Sequence, residues 1–476
     1  MVFGSLLLLA GPANAQGPID ASRAAETVTA GSLERIRDTA MQSDWAYRTL
    51  QTLTDQIGPR LSGSPQLEAA ILRLAAVMRE LGATVTLQPV KVPHWERGLE
   101  QASLVSYPGQ VGKLEQKLHL TALGGSGSTP PGGAEAPVLV LRDFTELEQR
   151  AGAVRGAIVL FTKAFDQNLA DNGLAGQAYE QAGQYRFSGP AAAAALGASA
   201  VLVRSVGPAG TRLPHTGATT WKEGQSAIPA AALASEDADL IERLAQAGPV
   251  RLHLLLTPRT LPDADSFNVI ADWPGTTHPE QVVVVSGHLD SWDLATGALD
   301  DGVGVIGAAG VLQVLQQLGL HAQRTIRFIA WTNEENGTRG AKAYAEAQRD
   351  HFADHIAAIE SDEGGGRALG IRAAVSPASA AALKPVLQVL APIGATGLER
   401  RDSPTGADIT PLQRAGVPGF APLVDARHYF DLHHTAADTF DKVDALSLRS
   451  HVATLAVLAW WLAEHSDRLQ SSVGAP

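Results

Sequence analysis

The chain contains no cysteine in 476 residues. That excludes disulfides, thiolate metal sites and thiol nucleophiles, and leaves nitrogen and oxygen as the only donors for a bound metal. Basic side chains are also scarce: 37 Lys and Arg against 49 Asp and Glu give a formal charge of −12. Phosphate backbones and anionic membranes attract a cationic surplus that is missing here, so nucleic acid is not an expected partner. Beyond the N-terminus no stretch reads as a membrane span. The N-terminal run Leu6-Leu7-Leu8-Leu9-Ala10 is too short to cross a bilayer and leads to the small-residue pattern at Ala13 and Ala15 that signal peptidase accepts. No Lys or Arg precedes it, and a buried strand or an anchor is the alternative. Residues 1–15 are read as a signal peptide and the chain as exported, periplasmic or secreted, with no integral membrane segment after cleavage.

A chain of this length buries more than one core, so two domains, one inserted in the other, are expected. Residues 32–82 carry apolar side chains at three-four spacing, clearest over residues 67–81, and Gly82 stops the pattern. The glycine- and proline-rich stretch 124–133 fits a linker. After it, strand-like Val138–Leu141 and 157–161 alternate with an alanine-rich helix over 190–197, and a proline-containing stretch near Pro258 leads out. The expected organisation is a first catalytic part over 16–127, an insertion over 128–258 and a second catalytic part over 259–476. In that last part Gln281-Val-Val-Val-Val-Ser286 is a β-branched run suited to a strand buried on both faces, followed by a helix over 302–318 and a strand over 325–331. Alternating strands and helices predict an α/β fold with a mostly parallel central sheet covered by helices. Ligands in such sheets bind beyond the carboxyl ends of the strands.

Polar residues gather at those ends. His288 and Asp290 follow the first buried strand, Asp300 and Asp301 sit in a glycine-bracketed turn, Glu334 and Glu335 follow Trp331, Asp362 follows Glu360, and His433 and His434 come later. Singly each has a plain structural account: a hydrogen-bonding His at a strand end, an Asp capping a helix, acidic residues at a helix start. Jointly they suit two zinc ions, because a shared carboxylate and a shared water can hold both metals while each keeps its own end ligands. Two zinc ions bring about +4 and three ligating carboxylates about −3, which favours deprotonating a bound water. Asp290 is placed to support the second ring nitrogen of His288. Adjacent strand-end residues point apart, so Glu335 can face a metal while Glu334 serves as general base.

The segments 287–293, 297–304, 333–337, 360–362 and 434–439 resemble metallopeptidase family 28, di-zinc aminopeptidases and carboxypeptidases, and the resemblance runs from about residue 30 to 465. It implies that His288 and Asp362 hold one zinc, Glu335 and His434 the other, and Asp300 bridges them. It further implies Glu334 as base, Asp290 as support for His288, a cis bond between Asp300 and Asp301, and a protease-associated insertion. The loop Leu213-Pro-His215-Thr-Gly217 is similar to one that faces the active site in one branch of the family, which makes His215 a candidate substrate contact beside the alternative of an ordinary surface loop. The segment Ser403–Asp408 departs from the resemblance, with Ala407-Asp408-Ile409 where many relatives have Ser-Asp-His, which bears on the substrate pocket and on no metal ligand. The implied activity is hydrolysis of short peptides with free termini. A single-zinc glutaminyl cyclase and a non-catalytic, receptor-like relative share the fold and stand as alternatives. The sequence leaves open which peptide end is read and whether the active form is a homodimer.

Overall fold

The computed structural model describes residues 21–112 and 115–474; the leader expected over residues 1–15 lies outside them. Sixteen strands form two sheets of eight. The first runs in the order Thr84–Glu96, Arg259–Trp273, Arg324–Trp331, His278–His288, His355–Glu360, Gly419–Val424, Ala368–Ala374 and Gly397–Arg400. Its four central strands are parallel neighbours, as the β-branched run and the helices between strands predict. Within that run the side chains alternate. Val283 and Val285 join the core beneath the helices Ala21–Gln42, Val303–Leu318 and Ala445–Glu464, whereas Val282 and Val284 pack on the opposite face with Ile329, Tyr344 and Leu412. Burying each such side chain stabilises the fold by roughly 1.5–3 kcal/mol, so a one-residue register slip would be costly.

Local signals set the element ends. Ser64 Oγ accepts the Leu67 N–H at 3.2 Å and Pro65 opens the helix Pro65–Glu80, while Gly82, with φ of 95°, turns the chain out of it. The helices Ala298–Leu318 and Ala445–Glu464 are long and apolar enough to cross a membrane, but their most apolar windows are 100% and 78% buried inside the protein, so they are core helices. The expected alanine-rich helix is longer than its sequence limits: it spans Ala175–Ala195 and continues through Pro190.

The chain leaves the first sheet at Glu96 and returns at Arg259, and these two residues are register partners. Everything between them hangs from one edge of that sheet. The second sheet takes its strands from Glu100–Ser106, Gln116–Leu118 and Leu120–Ala122 as well as from the five strands between Ala134 and Leu256. The insertion therefore begins near residue 97, not at 128. The glycine-rich stretch 124–133 is a loop inside the second sheet: Leu123 N–H donates to the Ala230 carbonyl and Gly124 N–H to that of Gly217. Three-residue strands carry too little periodicity to be read, and the loop's composition resembles that of a linker.

The helices Val303–Leu318 and Ala445–Glu464 cross where Gly307 faces His451; a Cβ at Gly307 would lie 2.8 Å from the His451 ring. Gly307→Leu is expected to destabilise the protein by about 1–3 kcal/mol through overpacking. Leu72→Ser, on a side chain 56% exposed, is expected to stay within about 0.5 kcal/mol of the parent. Chemical denaturation midpoints of the two variants check the contrast.

Candidate metal centre

The site lies at the carboxyl ends of the central strands. His288 closes the strand His278–His288, Glu334 and Glu335 follow Arg324–Trp331, and Asp362 follows His355–Glu360. His288 is fully buried, and its Nε2 lies 3.2 Å from Asp300 Oδ1 and 3.5 Å from Asp362 Oδ1. The other Asp300 oxygen, Oδ2, lies 3.1 Å from His434 Nε2, which is itself 3.1 Å from Glu335 Oε2. One carboxylate thus presents its two oxygens to two different histidines, each with a further carboxylate beside it.

Several backbone contacts hold this arrangement. Asp438 accepts the N–H groups of Leu299 at 2.7 Å and Asp300 at 3.1 Å. Asp301 accepts the His288 N–H at 3.0 Å with Oδ2 and the Gly304 N–H at 3.1 Å with Oδ1, so the two adjacent aspartates divide the work: Asp301 caps the helix and Asp300 faces the histidines. The Asp300-Asp301 peptide bond is cis. Ser361 Oγ lies 2.6 Å from His451 Nε2, which ties the residue before Asp362 to the last helix. Buried Arg60 donates to the carbonyls of Gly58, Leu289, Thr296 and Gly297 and so stitches the loop that carries Asp290.

Asp290 acts differently from its expected role. The Nδ1–H of His288 meets the Asp290 backbone carbonyl at 2.8 Å, while the nearer carboxylate oxygen is 3.8 Å away. The carboxylate accepts instead from the Glu334 N–H at 3.0 Å, the Glu335 N–H at 3.3 Å and Ser62 Oγ at 3.2 Å. Asp290 therefore orients both His288 and the Glu334-Glu335 pair. His215 also differs from expectation. Its ring is buried, Nδ1 lies 2.9 Å from the His433 carbonyl, and the opposite ring edge abuts Gly207, where a Cβ would lie 2.5 Å from Nε2. The imidazole supports the loop behind His434 and has no open surface for a peptide. Asp408 is likewise buried beside Glu360, which accepts its N–H and that of Ile409.

Charge is crowded here. Burial opposes ionisation of Asp300, but the imidazoles of His433, His288 and His434 around it hold its carboxyl well below the usual range. Burial and the Asp300 charge push Glu335 up to about 7. Glu334 keeps part of its surface open, yet desolvation, aided by Asp362 and Glu335, pushes its carboxyl well above the ordinary value. Among the described residues, Asp300 Oδ2 and Glu335 Oε1 are buried with no hydrogen bond of good geometry. Orphaned acceptors among converging carboxylates and imidazoles fit cations, which satisfy the oxygens and relieve their repulsion. Among the described residues the donor atoms fall into three overlapping groups: Asp300 with His433 and His434, His288 with Asp301 and Asp362, and His288 with Asp300 and Glu335. Glu334 belongs to none of them.

Asp438 and Arg60 had no sequence signal for these roles, because each acts mainly on backbone far away in the chain. Asp301 and His433, by contrast, stood among the strand-end residues, and Asp301 does the helix capping expected of one of the paired aspartates. Asp438→Ala leaves the Leu299 and Asp300 N–H groups buried without their acceptor. It is expected to cut metal affinity roughly 10- to 100-fold, the usual cost of removing a group that orients a ligand; metal retained after dialysis against graded chelator measures it.

Residues 268–459 match the model of peptidase family M28. The carboxypeptidase Q of Mus musculus is 37% identical over 432 residues, which cover 90% of this chain and 87% of that protein. A solved peptidase M28 precursor from Shewanella amazonensis SB2B superposes with a TM-score of 0.86 at 33% identity, covering 93% of this chain and 98% of the other. The zinc aminopeptidase BSAP from Bacillus subtilis shares the fold, with a TM-score of 0.61 at 22% identity over 89% of this chain and 98% of the other. Identity at this level over nearly the whole length places the chain in peptidase family M28.

Proposed function

We propose that the chain is an exported di-zinc exopeptidase acting on short peptides with free termini. The observation that carries this reading is the division of Asp300: Oδ1 at 3.2 Å from His288 and Oδ2 at 3.1 Å from His434. In the proposed assignment His288 and Asp362 hold one zinc, Glu335 and His434 the second, and Asp300 bridges. When bound, the pair would lower the pKa of a water and polarise the scissile carbonyl. Glu334, outside the ligand groups and anchored through its N–H to Asp290, accepts the proton and returns it to the leaving amine. Its upward-shifted carboxyl is the environment a proton carrier needs.

The inserted unit, which we equate with the protease-associated domain, supports the restriction to short substrates. Trp292, from the loop after His288, packs into the core of the second unit, and Tyr179 from that unit stacks on Phe430 at 4.8 Å. The cavity lined by Trp292, Asp300, Glu335 and His434 measures about 10 Å³, room for about one water. The names of relatives include both carboxypeptidase and aminopeptidase, so the terminus that is read needs a direct test.

Glu334→Gln should keep two metals per chain and lose about 100- to 10,000-fold in turnover, since it removes a proton acceptor and no ligand. Near-normal turnover in the metal-replete variant would end this role. Asp300→Asn should instead lower metal occupancy, because an amide cannot supply the negative charge between two dications. A panel of dipeptides with free, acetylated or amidated ends tests the exopeptidase reading. Loss on acetylation assigns the N-terminus and loss on amidation the C-terminus. Equal turnover of free and doubly blocked peptides would contradict it, and one metal per chain with cyclisation of N-terminal glutamine would favour the cyclase instead.

A further inference from the structure

His434 is the ligand candidate whose support comes from outside the catalytic sheet. Its Nε2 faces Asp300 and Glu335, so Nδ1 points away, toward the inserted unit, and lies 3.2 Å from the Thr216 carbonyl. The backbones also pair: Thr216 N–H donates to the His434 carbonyl at 2.9 Å, and His215 Nδ1 meets the His433 carbonyl at 2.9 Å. His434 has φ of 62°, a left-handed conformation that residues with a Cβ seldom adopt and that external contacts must hold.

Behind Thr216 lies Arg186, from the helix Ala175–Ala195, 1% exposed. Among the described residues it has no carboxylate partner. Its NH1 donates to the Thr216 carbonyl at 3.3 Å, its NH2 to Tyr179 Oη at 2.5 Å, and it lies over the rings of Tyr179 and Phe187 at 5.2 and 4.5 Å. Gly217 clears its path, since a Cβ there would lie 2.5 Å from the guanidinium carbon. A buried guanidinium without a counter-ion is costly. Besides Tyr179 Oη it holds the Thr216 carbonyl oxygen, which faces the Nδ1 of His434 at 3.2 Å, and its NH1 itself lies 3.5 Å from that nitrogen. A proton fixed on Nδ1 by the carbonyl leaves the Nε2 lone pair free for a cation.

We propose that the inserted unit completes the metal centre: Thr216, held by Arg186, sets the tautomer and orientation of His434, so that docking of this unit and loading of the cation at His434 and Glu335 are coupled. The inference rests on the two-metal reading above. Arg186 and Thr216 are positioning residues in it, and Arg186 touches no substrate. Coupling is reciprocal by thermodynamic necessity, so the cation should also tighten the 213–217 loop.

Zinc affinity, measured by competition with a chromophoric chelator, tests the proposal on the full-length protein and on Arg186→Met and Arg186→Lys. Wild type should bind two zinc ions. Arg186→Met should keep one at wild-type affinity and bind the other about 10- to 100-fold more weakly. Arg186→Lys should recover part of that loss by restoring a donor to the Thr216 carbonyl. Unchanged affinity at both sites, or equal weakening of both, in a folded Arg186→Met protein overturns the proposal. A measurement on wild type alone stands if the variant does not fold: peptide-level hydrogen exchange over 213–217 should slow on adding zinc to the metal-free protein, and identical exchange in the two states overturns the coupling. A wild-type count of one zinc would sink the two-metal reading while leaving this inference to be judged by whether Arg186→Met weakens that single site.

Discussion

Asp300 must offer its two oxygens in different directions while its own backbone stays fixed, and much of the surrounding structure serves that constraint. A carboxylate free to rotate would serve one cation well and two badly. Asp438 holds the Leu299 and Asp300 N–H groups, and Asp301 ties the next residue both to the His288 backbone and to the helix that follows. Arg60 adds a third restraint by binding three carbonyls, of Leu289, Thr296 and Gly297, near the two ends of the loop between His288 and Asp300. Burial lowers the Arg60 pKa only to about 10, with Asp438, Asp290 and Asp301 nearby opposing the shift, so the guanidinium keeps its charge at neutral pH. A permanent cation beneath the site offsets part of the repulsion among carboxylates that converge above it.

The same crowding explains why neighbouring acids differ. Three imidazoles surround Asp300 and keep it ionised, while Glu335, facing that charge across His434, is pushed up to about 7. In the proposed metal centre a cation arriving beside Asp300 would displace protons from neighbours shifted upward, such as Glu335. Metal uptake that releases protons depends on pH.

The catalytic sheet was legible because its central strands are apolar on both faces, so that Val282 to Val285 declare a buried strand whichever way each side chain points. His288, Glu335 and Asp362 were legible as candidates for a related reason: each lies at or within four residues of the end of such a strand, at the edge where ligands bind. Asp290 was legible as a participant but not in its work, since nothing in Gly287-His288-Leu289-Asp290 distinguishes a carboxylate that supports His288 from one that holds the N–H groups of Glu334 and Glu335. The start of the insertion was hidden by strands of three residues and by a glycine-rich loop of linker-like composition. That loop is tightly packed: a Cβ at Gly124 would lie 2.1 Å from the Trp292 ring. Glycine there serves close approach between the two units.

Gly124 and Trp292 show why the insertion and the catalytic unit behave as one body. Trp292 is 4% exposed because it sits in the core of the other unit, and the residue after it, Asp293, forms a bidentate pair with Arg97 at 2.8 and 2.7 Å. Arg97 also donates to Glu100 and to the Ala122 carbonyl, both in the inserted unit. Burial disfavours the Arg97 charge, but Asp293 and Glu100 outweigh it and leave the guanidinium raised in pKa. The loop that begins at His288 is thus gripped twice within five residues by the inserted unit, and the loop bearing His434 is gripped again by Thr216. A unit serving only as a sieve over the site could float on its two strands. One that holds the loops on both sides of Asp300 shares in fixing the distance between the two histidines.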